Sequence, residues 1–352
     1  MSWRDLFELG AFIVNRAFPW STIEIGKNLL PLISSSTFRS SPFLPGGHLQ
    51  TMFPTLFRGA PGVRYVRERI ETPDDDFLDL DWVRGGARRL AILSHGLEGS
   101  SRRWYMAGMA TALNDAGWDA LAWNYRGCSG EPNRTLRFYH SGATDDLDVV
   151  VRHAITSGDY DSIVLIGFSL GGNLTLKYLG ERGGTIHPAI SVAIAYSVPC
   201  DLASSAARLA HPVNRIYMRR FMKTLRGKIR TKMELMPGMP DVSGLEGIET
   251  FQEFDDRFTA PLHGFRDATD YWYQSSSRRY LEGITVPALL VNARNDPFLT
   301  PECYPVAQAR SLPYLFLEIP SSGGHVGFIA AGARRRYWME HRAIAFLRQM
   351  AP

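Results

Sequence analysis

One serine, one aspartate and one histidine stand in contexts that suit nucleophilic catalysis. Ser169 lies in the pentapeptide Gly167-Phe-Ser-Leu-Gly171, whose two glycines permit the sharp turn on which a nucleophilic serine is presented. Asp296 and His325 follow it along the chain. A serine hydroxyl is a weak nucleophile, so it needs an imidazole to accept its proton and a carboxylate to orient that imidazole. The three residues therefore predict acyl transfer to a serine.

Each of these residues follows a short apolar segment with the pattern of a strand buried on both faces of a parallel sheet. Residues 163–166 precede the serine, residues 288–292 precede the aspartate, and residues 315–319 precede the histidine. Open α/β sheets bind ligands beyond the carboxyl ends of their strands. We therefore expect the three side chains to meet at that edge, beside the N-terminus of a helix predicted for residues 174–180.

A fourth stretch, Ser94-His-Gly-Leu-Glu-Gly-Ser100, follows a further predicted strand at residues 90–93. Its glycines allow a turn that would point the amide of Leu97 at the same site as the amide of Leu170, giving two fixed donors for the oxyanion of a tetrahedral intermediate. His95 is an alternative catalytic base in this stretch. It is disfavoured because it lies inside the turn rather than after the last strand.

The remaining pattern predicts the architecture around the site. Additional buried strands at residues 120–123 and 190–195 alternate with helical segments, including one at residues 301–310, which indicates right-handed β-α-β units and a mostly parallel sheet with helices on both faces. Residues 64–71 and 77–83 alternate apolar and polar side chains around a turn, which predicts an antiparallel hairpin.

The alternation is interrupted once, at about residues 199–277, where we predict a helical cap insertion that packs over the sheet and shapes a substrate pocket. Within it, residues 215–232 form a basic amphipathic helix. Two interpretations of its charges stay open: they face solvent, or they contact an anionic lipid surface or substrate.

Composition narrows the class of protein. The chain has 352 residues, of which 45% are hydrophobic and 21% charged, and its net charge of +4 comes from scattered basic residues. These values are typical of a soluble globular protein and do not indicate nucleic-acid binding. Cys128, Cys200 and Cys303 are odd in number and widely spaced, which favours a reducing cytoplasm over a disulfide framework or zinc site. No cofactor or metal is predicted.

We divide the chain into an N-terminal extension, residues 1–37, and one domain, residues 38–352. The extension contains two weakly amphipathic segments, around residues 6–14 and 23–32, which we expect to dock on the domain, with contact to a membrane surface as the alternative. No segment reaches the ~18 consecutive apolar residues of a membrane span. The prediction is a cytoplasmic protein, with peripheral membrane association left open.

Several strings together resemble the YheT-like branch of the α/β-hydrolases, over about residues 38 to 350. They are Gly47-His-Leu-Gln-Thr51, His95-Gly-Leu-Glu-Gly-Ser100, Arg126-Gly-Cys-Ser-Gly-Glu-Pro-Asn133, Phe168-Ser-Leu-Gly-Gly-Asn173 and Gly323-Gly-His-Val-Gly-Phe328. The resemblance implies an α/β-hydrolase fold with Ser169, Asp296 and His325 as nucleophile, acid and base. It also implies hydrolysis of short-chain carboxylesters or of lipid esters such as acylglycerols.

The sequence therefore predicts a serine esterase that acts on a small-molecule ester or a lipid through an acyl-serine intermediate. Two alternatives stay open. An acyltransferase would use the same three residues with an alcohol or thiol in place of water, and a non-catalytic lipid- or ester-binding protein would keep the pocket without the reaction. The oligomeric state is not predicted.

Overall fold

The computed structural model describes residues 31–236, 238, 242–330 and 336–351. The two amphipathic segments predicted in the extension lie outside this part of the chain, except for residues 31 and 32. Within the described residues, no helix has both the length and the apolarity that a membrane span requires.

The described residues form one nine-stranded sheet. Its strands are β1 (Leu32–Ile33), β2 (Val66–Glu71), β3 (Phe77–Val83), β4 (Arg89–Ser94), β5 (Asp119–Asn124), β6 (Ser162–Phe168), β7 (Ile190–Tyr196), β8 (Ala288–Val291) and β9 (Leu315–Glu318). They lie in the order β1-β9-β8-β7-β6-β4-β5-β3-β2. The seven strands from β1 to β5 in this order are parallel, whereas β3 runs antiparallel to both β5 and β2. The predicted hairpin and mostly parallel sheet are confirmed.

Helices alternate with the strands along the chain and lie on both faces of the sheet. They are α1 (Gly47–Phe57), α2 (Trp104–Asn114), α3 (Thr144–Thr156), α4 (Leu170–Arg182), α5 (Leu202–Ala210), α6 (Arg215–Leu235), α7 (Phe251–Phe254), α8 (Ala260–His263), α9 (Ala268–Ser275), α10 (Val306–Ser311) and α11 (Trp338–Met350). A π-helical turn, Asp255–Thr259, joins α7 to α8.

The continuously apolar sequence of the central strand β6 is explained by its position in the sheet. Ile163 and Leu165 belong to the core that α3 and α4 cover, and Val164 and Ile166 belong to the core that α2 and α11 cover on the opposite face. Both faces of the strand are therefore removed from water. This burial fixes the carboxyl end of β6, and with it the turn that carries Ser169.

The segment between β7 and β8 contains α5 to α9 and lies over the carboxyl ends of the strands. This is the arrangement predicted for the helical cap. The apolar side of α6, including Met218, Met222 and Leu225, packs against Phe254 and Phe258 of the cap in a separate hydrophobic cluster. Burial in this cluster thus explains the apolar side of the amphipathic helix α6.

Candidate active site

Ser169 occupies the turn between β6 and α4, with φ 54° and ψ −119°, a backbone conformation that residues other than glycine rarely adopt. Strand and helix approach so closely that a Cβ at Gly167 would lie 2.2 Å from the carbonyl oxygen of Gly171, and a Cβ at Gly171 would lie 2.3 Å from that of Ser94. Both flanking positions therefore require glycine, as the pentapeptide predicts.

The structure brings the three predicted side chains into one hydrogen-bonded series. His325 Nε2 lies 2.9 Å from Ser169 Oγ, and its Nδ1 lies 2.9 Å from Asp296 Oδ2. The Asp296 side chain is fully buried, and its other oxygen accepts a hydrogen bond of 2.9 Å from the amide of Phe298. A carboxylate at Nδ1 favours the tautomer that leaves Nε2 free to accept a proton from the serine.

The loop after β4 is held by tyrosine hydroxyls. The amide of Gly96 donates to Tyr105 at 3.0 Å, and the amide of Glu98 donates to Tyr139 at 2.9 Å. Both tyrosines are buried deeply enough that desolvation raises the pKa of each phenol. They are therefore neutral, and their hydroxyl oxygens act as fixed acceptors for the loop.

The amide of Leu97, between these two anchored groups, has no hydrogen-bond partner among the described residues, and neither has the amide of Leu170 at the start of α4. Both leucines border the cavity that Ser169 and His325 also border. Unpartnered amides beside Ser169, one of them at a helix N-terminus, are suited to stabilise negative charge that develops there.

His95 contacts main-chain groups and not the serine. Its Nδ1 lies 2.8 Å from the carbonyl oxygen of Gly96, and its Nε2 lies 3.3 Å from the amide of Tyr125. With the proton on Nδ1, the ring donates to that oxygen and accepts from that amide. Burial lowers the pKa of His95 to about 3. A neutral ring in this position braces the loop, which leaves His325 as the base candidate.

The loops that carry Asp296 and His325 are joined by α1, a contact that the sequence did not reveal. Gln50 Oε1 accepts a hydrogen bond of 2.7 Å from the amide of Gly323 in the histidine loop, and one of 3.2 Å from Asn295 Nδ2 in the aspartate loop. The hydroxyl of Thr51 accepts a bond of 2.8 Å from the amide of His325 itself. One helix thus sets the separation of Asp296 and His325.

Gln50→Met should remove the hydrogen bonds of the glutamine side chain while keeping a side chain of similar volume, so that no cavity is created. The variant leaves the amide of Gly323 and the carbonyl of Leu44, the acceptor for Gln50 Nε2, without partners. We expect the free energy of unfolding in urea to fall by about 2–4 kcal/mol. We also expect kcat to fall about tenfold with little change in KM, because a less well-held base affects the reaction more than binding.

The matched control is Gln308→Met on α10, which removes a hydrogen bond from Gln308 Nε2 to the carbonyl oxygen of Arg278. It should leave kcat unchanged. A folded Gln50→Met variant with wild-type kcat would contradict the positioning role.

Two cavities meet at Ser169, and both are bordered also by His325 and Leu97. The first, of about 110 Å³, lies beneath the cap and is lined mainly by apolar side chains. The second, of about 390 Å³, opens between α1 and α6 and has a more polar lining. A substrate with one apolar and one polar part could therefore place its two parts on opposite sides of the serine.

Asp255 is a buried carboxyl in the wall of the apolar cavity, and the sequence did not single it out. Its oxygens accept hydrogen bonds from the Thr259 hydroxyl at 2.6 Å and from Trp272 Nε1 at 2.8 Å. Desolvation raises its pKa to about 7. Its hydrogen bonds connect the π-helical turn with α9, so it stabilises the cap wall. Among the described residues, no group of three His, Cys, Asp or Glu side chains is arranged to hold a metal ion.

Comparison with known proteins agrees with this fold. Residues 92–331 match the family described by the α/β-hydrolase fold. An esterase of Pyrococcus furiosus has a similar solved structure, with a TM-score of 0.57, 19% sequence identity, and coverage of 83% of this chain and 92% of that chain. At this identity the structural likeness concerns the fold alone.

Three curated relatives extend over most of the chain. The presumptive esterase YheT of Escherichia coli is 34% identical over 84% of this chain and 88% of its own length. The phospholipase ABHD3 of Mus musculus is 29% identical over 80% of this chain and 70% of its own length. The monoacylglycerol lipase of Saccharomyces cerevisiae is 30% identical over 76% and 60%. The chain belongs to the α/β-hydrolase fold family, in its YheT-like branch, among relatives that are esterases and lipases.

Proposed function

We propose that the protein hydrolyses carboxylic esters through an acyl intermediate on Ser169. His325 Nε2 accepts the proton of Ser169 Oγ as that oxygen attacks the ester carbonyl carbon, and the amides of Leu97 and Leu170 stabilise the oxyanion. When the C–O bond to the leaving alcohol breaks, His325 returns the proton to that alcohol. Asp296 holds the imidazole in the required tautomer and stabilises its charged form.

The second half of the reaction uses the same groups. A water molecule gives a proton to His325 Nε2 and attacks the acyl carbon, forming a second oxyanion at the same two amides. Collapse of this intermediate breaks the bond to Ser169 Oγ, which takes the proton back as the carboxylic acid leaves. The contacts of 2.9 Å on each side of the His325 ring carry this proposal.

We further propose that the substrate is a lipid ester. The apolar cavity beneath the cap would receive the acyl chain, and the wider cavity between α1 and α6 would receive the leaving alcohol. Support comes from the contrast between the two linings and from the relatives named as phospholipase and monoacylglycerol lipase.

Ala206 offers a test of the acyl assignment because it borders the apolar cavity and not the wider one. In Ala206→Phe, a larger side chain should obstruct long acyl chains. Since a single methylene changes specificity about 10- to 200-fold in a well-fitted pocket, we expect kcat/KM for a long-chain p-nitrophenyl ester to fall about 100-fold relative to the acetyl ester.

Thr224 borders only the wider cavity, so Thr224→Phe is the matched control. It should leave the ratio of long-chain to acetyl activity unchanged. An unchanged ratio in Ala206→Phe, or an equal change in the two variants, would contradict the placement of the acyl chain.

A further inference from the structure

The helix α1 exposes three of its apolar side chains and buries two of its polar ones. Leu49, Leu56 and Phe57 are 48%, 65% and 61% exposed, whereas Gln50 and Thr51 are only 1% and 8% exposed. A surface helix of a soluble domain ordinarily has the reverse arrangement. The buried polar face is explained by the loops of Asp296 and His325, but within the described residues nothing covers the apolar face.

The first part of α6 lies beside this face. His48 of α1 stacks on Tyr217 of α6, with ring centroids 5.8 Å apart and 3.2 Å between His48 Nδ1 and the tyrosine hydroxyl. Ile216, next to this contact, is 60% exposed. The exposed apolar surface therefore continues from α1 onto α6.

Positive charge without a partner is concentrated in the same part of α6. Its cations Arg215, Arg219, Arg220 and Lys223 are exposed and form no ion pair with any described residue. Further along α6, Lys228 lies 2.8 Å from Glu98 and Arg230 pairs with Glu246. Arg226 and Lys232 donate hydrogen bonds to main-chain carbonyl oxygens. The cations without a polar partner among the described residues thus lie in the part of α6 that borders the apolar surface.

This surface surrounds the mouth of a substrate cavity. Leu56, Ile216 and Arg220 all line the wider cavity, which reaches Ser169. A patch that combines exposed apolar side chains with cations has the composition of a surface that binds at a membrane interface. The cations specify the sign of charge that its occupant carries.

We propose that Leu49, Leu56, Phe57 and Ile216, together with Arg215, Arg219, Arg220 and Lys223, form a docking face for an anionic lipid surface. The apolar side chains enter the interfacial region, the cations contact anionic headgroups, and the cavity mouth faces the lipids. The inference deepens the proposed function, since it identifies where the lipid substrate is drawn from.

Flotation of the full chain with lipid vesicles tests the docking face. The parent carries Ser169→Ala, so vesicles stay intact and binding is measured independently of hydrolysis; failure of docking and failure of the esterase proposal are then separate results. The parent should float with vesicles of phosphatidylcholine mixed with phosphatidylglycerol, and not with phosphatidylcholine alone. High salt should weaken the binding.

Two sets of substitutions divide the face into its parts. Arg215→Glu with Arg219→Glu and Lys223→Glu should weaken binding at least about 100-fold, since each cation near an anionic surface contributes about fivefold. Leu49→Glu with Phe57→Glu should also abolish flotation. None of these five residues borders either cavity, so otherwise wild-type chains carrying these substitutions should turn over a soluble p-nitrophenyl ester at the wild-type rate.

The matched controls are Arg310→Glu on α10 and Val66→Glu on the edge strand β2. Arg310 is exposed and forms no ion pair within the described residues, and Val66 is 67% exposed. Both controls should float like the parent. Failure of the parent to bind the mixed vesicles, or unchanged flotation in either set of variants, would overturn the proposal.

A polarity-sensitive dye at Leu49→Cys separates the lipid surface from other occupants. The dye should report water in the absence of vesicles and an apolar environment after mixed vesicles are added. A dye that is already in an apolar environment without lipid would mean that residues 1–30 or a second copy of the chain covers the face, and this result would overturn the proposal.

Discussion

Ser169→Ala is expected to reduce turnover of a short-chain p-nitrophenyl ester by about 10⁴-fold or more. The substitution removes the only atom that we expect to bond to the acyl group, Oγ, which lies 2.9 Å from His325 Nε2. The Cβ stays, so the unusual backbone conformation at this position is no more strained than in the wild type. The thermal unfolding midpoint and the circular dichroism spectrum should therefore match the wild type.

Ser205→Ala serves as the control. Ser205 is a buried serine that also borders the apolar cavity, but its hydroxyl contacts Cys303 Sγ at 3.3 Å. This variant should keep its turnover within about tenfold of the wild type, because a structural hydroxyl contributes about 1 kcal/mol. Wild-type turnover in Ser169→Ala would exclude the serine as nucleophile.

Asp296→Asn should reduce kcat by about 10⁴-fold with KM little changed. An amide nitrogen beside His325 Nδ1 would donate to that atom and move the ring proton to Nε2. A protonated Nε2 cannot accept the serine proton, so the loss comes from the wrong tautomer and not from lost binding. Steady-state kinetics across pH, with unfolding measured in parallel, would detect it.

Asp255→Asn is the matched control for a buried carboxyl near the serine. Its oxygens bond to Thr259 and Trp272, so the substitution should affect cap stability more than the reaction, with kcat retained within about tenfold. Equal losses of kcat in the two variants would mean that a buried charge in this region, and not the orientation of His325, is responsible.

The arrangement of the candidate site could be predicted from local sequence because topology does most of the positioning. Residues 163–166, 288–292 and 315–319 are each recognisable as buried strands, and parallel strands bring their carboxyl ends to one edge. Three residues that are far apart in the chain therefore meet without any sequence signal for the contact itself. Their catalytic roles stay a prediction until the substitutions are measured.

Local pattern was less reliable where glycine and proline serve packing. The helix predicted at residues 174–180 begins earlier, at Leu170. The pattern did not predict its first turn because Gly171 and Gly172 have low helix propensity. Both glycines are needed where α4 approaches Ser94 and Val198. The helix predicted at residues 301–310 is divided into a 3-10 turn, Pro301–Cys303, and α10. Pro305 explains the division because it supplies no amide for a continuous helix.

Long-range contacts were not predictable from the sequence. Gln50 bonds to Gly323, 273 positions away, and no periodicity or spacing encodes such a pair. The same holds for the exposed apolar face of α1, whose meaning depends on the burial of its polar face. The predicted boundary between an extension and a domain at residue 37 stays a prediction, although β1 within that extension pairs with β9.

The central claim is that Ser169 forms a covalent bond during the reaction, and labelling by a fluorophosphonate ester tests it most directly. Phosphonylation would require an activated hydroxyl and would attach one label per chain, which mass spectrometry of proteolytic peptides can locate. We expect one adduct on Ser169 in the wild type, none in Ser169→Ala, and prevention of labelling by an excess of a competing ester. A folded wild-type protein that stays unlabelled, or that carries its label on another residue, would contradict the account.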